Sequence, residues 1–427
     1  MENIRIQDDL FHYVNQKKID ELVIPDDMPQ IGGFNTLHTD VEKLMINEYN
    51  QMCETNSYPN SYLERSCMLY KAVKNVRKRN RSGIKPALKH LAFFDKLGTV
   101  KDFNRKFKDL VLNSYPLPIN ISVETDMKDT SKHCVIIQGP SVLLPDASYY
   151  KEEMAAQKGA LLGIWVNMAK LVLAETDLTA EQQEQYIQDT LKFDEILGGL
   201  VKTSEEWSDY IEMYNPMKTN KVVSMLKPLN FKKVLLDLFG VVPEKIIVAE
   251  PRYFNSFKEV FNEENFEIYK HWAYVTGLLS ACSLLSEKLR DLGGLFYRTI
   301  SGIQTVSSVE KYAYQLASNM YSDPVGLYYG EKYFGEEAKK DITEIVYQII
   351  DAYQERIKNN DFLEESTKEK AILKLSKIGV KMGYPDHIEE IYDKLVFNEK
   401  DSLFKIVMDL RKIRMADRLI CRFVKTS

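Results

Sequence analysis

Glycine and proline are scarce in this 427-residue chain, at 19 and 14. Those residues supply turns and flexible spacers, so their scarcity argues against a loop-rich or disordered protein. A long hydrophobic run is also missing. The most apolar stretch, Gly159 to Ala169, is bounded by Lys158 and Lys170 and contains Asn167. It falls well short of the ~18 apolar residues a membrane helix needs and is expected to be a buried core helix. The opening Met-Glu-Asn-Ile-Arg-Ile lacks the basic-then-apolar pattern of a secretory signal. The five cysteines, Cys53, Cys67, Cys134, Cys282 and Cys421, are odd in number, widely spaced and form no Cys-x-x-Cys pair. Such usage predicts free thiols in a reducing compartment, and hence a cytoplasmic protein. Charge of one sign does not dominate. A net charge of −5 gives no reason to expect a nucleic acid or an anionic membrane as partner.

Apolar side chains are plentiful, at 44% of residues, and 25 tyrosines with 19 phenylalanines offer large packing surfaces. At ~150 residues per domain the length suggests roughly two or three folding units. Helical periodicity dominates. From Lys339 to Lys358, residues Ile342, Ile345, Val346, Ile349, Ile350, Tyr353 and Ile357 recur at intervals of three and four, which places them on one helical face. A second helix is expected to open at Ser366, with Ser366 and Glu369 as a capping box. A third is expected at Thr179, with Gln182 three residues on, and to stop at Gly198-Gly199. Ile119 to Val123, Cys134 to Gln138 and Ile246 to Val248 are the best strand candidates, short and β-branched. Loops are expected at Ile24 to Phe34, Ser114 to Pro118 and Gly139 to Pro145, with no linker dividing the chain. The fold class that follows is mainly α with minor short β-strands.

Chemical signatures are missing as well. None of the six histidines, His12, His38, His90, His133, His271 and His387, lies three or four residues from another, so no helix presents a zinc-binding pair. His387-Ile388-Glu389-Glu390-Ile391 would need a second histidine at Ile391, and its simpler reading is a helix start with acidic residues at the positive end. His271, beside Trp272, reads as a packed or surface residue. Cys134 has a histidine neighbour, His133, but adjacent strand residues face opposite ways, a poor arrangement for nucleophile and base. No Gly-x-Ser-x-Gly elbow or phosphate-binding loop is present, and Gly293-Gly294 lacks the strand-turn-helix context of a nucleotide site. Acidic pairs such as Asp8-Asp9, Glu152-Glu153 and Glu205-Glu206 are too numerous to single one out. The basic cluster Lys71, Lys74, Arg77, Lys78, Arg79, Arg81, Lys85 and Lys89 lacks interleaved aromatics for base stacking and is expected to be a solvated helix face.

Several local patterns nevertheless occur in a telling order. Gln7-Asp8-Asp9-Leu10-Phe11-His12-Tyr13-Val14-Asn15 is followed by Ile24-Pro25 and Gly32-Gly33-Phe34. Leu143-Leu144-Pro145-Asp146-Ala147-Ser148-Tyr149-Tyr150 comes next, then Tyr214-Asn215-Pro216-Met217. Ser301-Gly302, Gly326-Leu327-Tyr328-Tyr329, Tyr333-Phe334, Thr367, Ala371, Lys374 and Gly383-Tyr384-Pro385-Asp386 complete the series. In this order, from residue 7 to about residue 410, the chain resembles the N-terminal region of the neprilysin family of zinc metallopeptidases, in particular bacterial oligopeptidases of the endopeptidase O type. The chain departs from that pattern in places. Gln16-Lys17-Lys18-Ile19 replaces Gly-x-Trp-Leu, Met28 and Gln30 stand where an arginine often holds substrate, and Phe362 replaces a tryptophan.

The resemblance implies a large multi-helical lobe that faces a thermolysin-like lobe across a chamber admitting short peptides. It further implies that residues 1–412 are the family's N-terminal region, a helical lobe whose opening segment and last helices would lie near the missing catalytic lobe, and that residues 413–427 are a divergent tail. The Asn-Ala-Tyr-Tyr segment, His-Glu-x-x-His and the later glutamate that bind substrate and zinc in the family have no counterpart here. No catalytic, metal-ligating or substrate-binding residue is therefore assigned, and no cofactor is expected in this chain, although the complete family enzyme carries zinc. The leading expectation is an incomplete, inert metalloendopeptidase from a frameshifted or degraded gene, with a partly exposed apolar face where the missing lobe belonged. The alternative is a non-catalytic helical protein that binds peptides or complements a separate catalytic fragment. A third reading, nucleic-acid binding through Lys71 to Lys89, would require steeply salt-dependent affinity.

Overall fold

Helices carry most of the chain, as the 3.6-residue periodicity predicts, and the strands are few and short. The computed structural model describes residues 4–421 and 423. Two compact units emerge: one from residues 1–38, 72–308 and 397–427, the other from residues 39–71 and 309–396. No single linker separates them, because each unit draws on distant stretches of sequence.

The larger unit contains a four-stranded sheet, with β1 (Asn120–Thr125), β2 (His133–Gln138), β3 (Pro216–Lys218) and β4 (Lys245–Val248) in the spatial order β1-β2-β4-β3. β1 pairs antiparallel with β2, β2 parallel with β4, and β3 antiparallel with β4. The three expected strands are present, and β3 is an addition. Pro216 hides it from a sequence reading, yet proline is tolerated at the first residue of a strand. Helix Ala180–Gly198 packs along helix Phe266–Ala281, where Phe193 meets both Tyr269 and Trp272. Phe103 and Phe261 extend this aromatic core beyond Tyr269. Burying tyrosines requires partners for their hydroxyls. Tyr253 donates to the carbonyl of Pro118 at 2.6 Å, Tyr269 to that of Pro116 at 2.9 Å, and Tyr115 to that of His90 at 2.8 Å. The expected loop Ser114 to Pro118 is thus held by the aromatic core itself.

Thr179 caps its helix as expected, with the reciprocal Thr179–Gln182 capping box formed, and Gly199 closes the other end. The glycine pair has a further use. A Cβ on Gly198 would lie 2.2 Å from the Tyr150 ring, so this position admits only glycine. Other expectations need correction. Helix Ala155–Leu173 contains Gly159 to Ala169, but Gly159, Ala160 and Gly163 are exposed and burial is confined to residues from Trp165 onward. Small residues in its first half offer little surface to bury. The basic cluster is not uniformly solvated: Arg79 is 3% exposed. Its guanidinium donates to the carbonyls of Val73 (2.8 Å) and Leu285 (3.0 Å) and pairs with Glu287, which also holds Arg290. Planar arginine can satisfy such a buried fork where lysine could not.

In the smaller unit, Tyr49 is fully buried and shares a hydrogen bond of 2.7 Å with Ser66, while its ring meets Tyr70 and Tyr314 edge-on. Tyr321 donates to the carbonyl of Leu395 at 2.7 Å. Helix Glu365–Ser376 has Glu364 rather than Ser366 at its N-cap, and the expected Ser366–Glu369 capping box does not form. Asn360 accepts the amides of Phe362 and Leu363 and turns the chain early, which moves the helix start upstream. His387 lies on a bend, not at a helix start. Lys339 draws Asp386 aside at 2.5 Å, and the next helix is Ile391–Lys394.

Gly198→Ala is expected to destabilise the larger unit by about 1–3 kcal/mol, the usual cost of overpacking a filled position. Urea unfolding should show a lower midpoint with an unchanged slope, and a wild-type midpoint would remove Tyr150 from the argument.

Candidate functional site

Peptide hydrolysis by a metal would require a convergence of ligands, and the histidines do not provide one. His12 pairs with Asp9 at 2.6 Å at the exposed start of helix Leu10–Glu21, and His38 is exposed on helix Gly33–Thr55. His90 stacks on Tyr115 at 4.1 Å. His271 is packed, with Nδ1 2.6 Å from Asp189 and its ring stacked on Tyr186 at 3.8 Å. His133 and Cys134 lie on β2 with the thiol buried, and burial pushes that thiol up to about 11, far from a reactive thiolate. Among the described residues, no three His, Cys, Asp or Glu side chains come together in a way that could hold a metal ion.

The segments that carried the sequence resemblance act as joints. In the larger unit, Asp146 accepts the amide of Ser148 (2.9 Å) and both the amide (2.6 Å) and hydroxyl (2.5 Å) of Ser204. Tyr150 donates to Asp194, which also accepts the Leu143 amide at 2.8 Å. Burial pushes the Asp194 carboxyl up to about 7 despite these bonds. A cavity of about 390 Å³ lies beside this joint, lined by Gly139, Pro145, Asp146, Lys202, Trp207 and Glu250. Glu250 is buried, a setting that raises its pKa, and each of its oxygens takes a backbone amide, Gly139 at 2.6 Å and Lys202 at 2.7 Å. Its carboxylate ties two loops together rather than addressing a ligand. At Tyr214-Asn215-Pro216-Met217, the Tyr214 hydroxyl (2.9 Å) and Lys245 (2.6 Å) both reach buried Asp126 and fix β3 beside β4.

In the smaller unit, Glu48 gathers Tyr328, Lys332 at 2.6 Å and Tyr333 at 2.5 Å. Burial alone would raise the Glu48 pKa, but the three hydrogen bonds together outweigh it and bring the group down to about 2. The ring of Tyr384 sits over Gly330, where a Cβ would be 2.2 Å away. Lys339 lies 4.2 Å from the centre of that ring and donates to the Tyr384 carbonyl at 2.9 Å. Gly326–Tyr329, Tyr333-Phe334 and Gly383–Asp386 are therefore one assembly. Sequence reasoning missed Glu48, which lies far upstream in no marked pattern.

Two apolar surfaces are left open. Helix Leu10–Glu21 has no buried residue and exposes Leu10, Phe11, Tyr13 and Val14, and Phe34 is 89% exposed. Helix Gly335–Lys358 likewise buries nothing, and Ile342, Ile345, Ile349 and Tyr353 of the predicted stripe lie exposed.

The shared joints have a common origin. The model of peptidase family M13, in its N-terminal portion, matches residues 6–385. The chain belongs to peptidase family M13. Neutral endopeptidase of Lactococcus lactis subsp. lactis (strain IL1403) is 36% identical over 392 residues, covering 92% of this chain and 62% of the relative. Neutral endopeptidase of Lactobacillus helveticus is 32% identical over 422 residues, covering 98% of this chain and 65% of the relative. The crystal structure of PepO from Lactobacillus rhamnosis HN001 matches with a TM-score of 0.91 and 28% identity, over 98% of this chain and 66% of that one. A Mycobacterium tuberculosis zinc metalloprotease solved with an inhibitor shares the fold, with a TM-score of 0.84 at 24% identity. The chain thus spans a little under two thirds of the length of these curated relatives and corresponds to the neprilysin-like N-terminal region of the M13 family. The expected family and its mainly α fold are both correct.

The Glu48 cluster gives this M13 chain a defined acid response. A carboxyl whose folded pKa is about 2 against 4.5 in the ordinary state stabilises the fold above pH 4.5 and loses that contribution as pH falls towards 2. Glu48→Gln should cost about 1–2 kcal/mol at neutral pH, allowing for solvent around Lys332. The difference from wild type should shrink to near zero at the acid end. Parallel pH–stability curves for the two proteins would contradict the linkage.

Proposed function

We propose that this chain supplies the N-terminal, helical part of a neprilysin-like zinc metalloendopeptidase acting on oligopeptides, and that by itself it does not hydrolyse peptide bonds. One observation carries the second half: no three metal-binding side chains converge among the described residues. Zinc-assisted hydrolysis needs three protein ligands, an open position for water and a carboxylate base, and scattered imidazoles cannot lower the pKa of a bound water. Membership of the M13 family and similarity to neutral endopeptidases support the first half. In this reading residues 1–412 are the family region, residues 413–427 are a divergent tail, and zinc belongs to the complete enzyme. The setting is cytoplasmic, with oligopeptides rather than nucleic acid or membrane as partners. The free thiols of Cys53, Cys67, Cys134 and Cys282 support a reducing compartment. No described helix is long and apolar enough to cross a membrane.

The open apolar faces favour a second reading, a non-catalytic subunit that binds peptides or complements a separately made catalytic fragment. Contiguous exposed apolar surface marks a place where another polypeptide sits. The exposed side chains of helices Leu10–Glu21 and Gly335–Lys358 form such surfaces.

Zinc content and cleavage of a quenched oligopeptide, measured together on the purified chain, test the proposal. The expected outcome is substoichiometric zinc and no chelator-sensitive cleavage; stoichiometric zinc with chelator-sensitive turnover would overturn it. Cleavage that appears only when the remaining portion of the Lactococcus lactis relative is added would establish the complementing role.

A further inference from the structure

The basic cluster leads to a surface that the peptidase reading leaves unused. Within the larger unit, a groove of about 670 Å³ runs between helix Lys85–Leu91 and helix Leu403–Ala416. Lys85, Lys89, Lys96 and Lys400 line it, all exposed, and none forms an ion pair or side-chain hydrogen bond. The acids on the opposite wall are already engaged: Lys405 holds Asp401 at 3.0 Å and Asp409 at 2.6 Å. Five lysines against two aspartates leave three positive charges over the lining. The floor between the walls is apolar, with Phe93 and Met408 partly open above buried Tyr115 and Phe404. His90 is sandwiched in it, stacked on Tyr115 and edge-on to Phe404 at 5.5 Å. Burial brings His90 down to about 4, so it adds no charge at neutral pH.

We propose that this groove binds an extended acidic polypeptide segment, taking its carboxylates on the four unpaired lysines and its apolar side chains on the Phe93–Met408 floor. Ammonium groups spread along an open rim suit carboxylates spaced along a chain, and a mostly apolar floor with a few polar groups is the usual make-up of a binding cleft. Charge complementarity of this kind sets partner choice and approach more than raw affinity. A nucleic acid fits less well. Tyr115 and Phe404 are buried against the His90 ring and offer no free plane for a base. The inference is independent of whether the chain takes part in hydrolysis.

Fluorescence anisotropy with a labelled peptide of alternating glutamate and leucine tests it on the intact chain. The peptide should bind with affinity that falls as salt rises, a glutamate–serine peptide should bind more weakly, and a lysine–leucine peptide should not bind. Lys89→Glu combined with Lys400→Glu should weaken binding by roughly tenfold, the sum of several exposed charge contacts. The control pair Lys221→Glu with Lys232→Glu, of equal charge change and also exposed, should not. Circular dichroism of each variant confirms that the fold is retained. No binding of the glutamate–leucine peptide, equal loss in both variants, or loss in neither would overturn the proposal. So would a single-stranded oligonucleotide that displaces the peptide and binds the same lysines more tightly.

Discussion

In this protein, the polar groups of the large buried tyrosines find partners inside the same unit, and that constraint organises the aromatic core, where the buried Trp272 Nε1 is the exception. Tyr253 and Tyr269 bring large apolar surface to the core, and their hydroxyls would be costly there without the carbonyls of Pro118 and Pro116. The exchange works in both directions: the rings are anchored, and a proline-rich loop that could not form a regular ladder has its carbonyls satisfied. Arg79 follows the same rule with two carbonyls and Glu287, and Tyr49 follows it with Ser66.

The same physics explains why the short motifs that mark the family are joints rather than reacting groups. Asp146, Asp194 and Glu250 each spend their oxygens on amides or hydroxyls from another stretch of chain. A carboxylate occupied in this way has little capacity left for a metal or a substrate proton. Gly198 beneath Tyr150 and Gly330 beneath Tyr384 serve the same end, because an aromatic ring can lie against the backbone only where no Cβ intervenes. Motif identity and catalytic identity are therefore separate matters in this part of the fold.

Helices were legible because their signals are local. The Thr179–Gln182 capping box and the 342–357 apolar stripe depend only on residues three or four apart, and both helices are present. Errors arose where a nearby side chain competed for the same backbone. Asn360 turned the chain before Ser366 could cap it, and Lys339 drew Asp386 away from a helix start at His387. The Glu48 cluster was not legible, and of the groove's lysines only Lys85 and Lys89 were marked, because the opposing members lie hundreds of residues away and share no spacing rule.

By itself, the order of local patterns determined the family, the mainly helical class and the lack of any histidine pair at zinc-binding spacing. Each is written in adjacent or near-adjacent residues, where the geometry of a single turn or strand fixes the outcome. Tertiary structure alone decided which apolar stripe would be covered. Ile345 and Ile349 have the periodicity of a core helix yet lie open, whereas Arg79 has the chemistry of a surface residue yet lies within. Burial depends on what the rest of the chain brings alongside, and no local spacing encodes that.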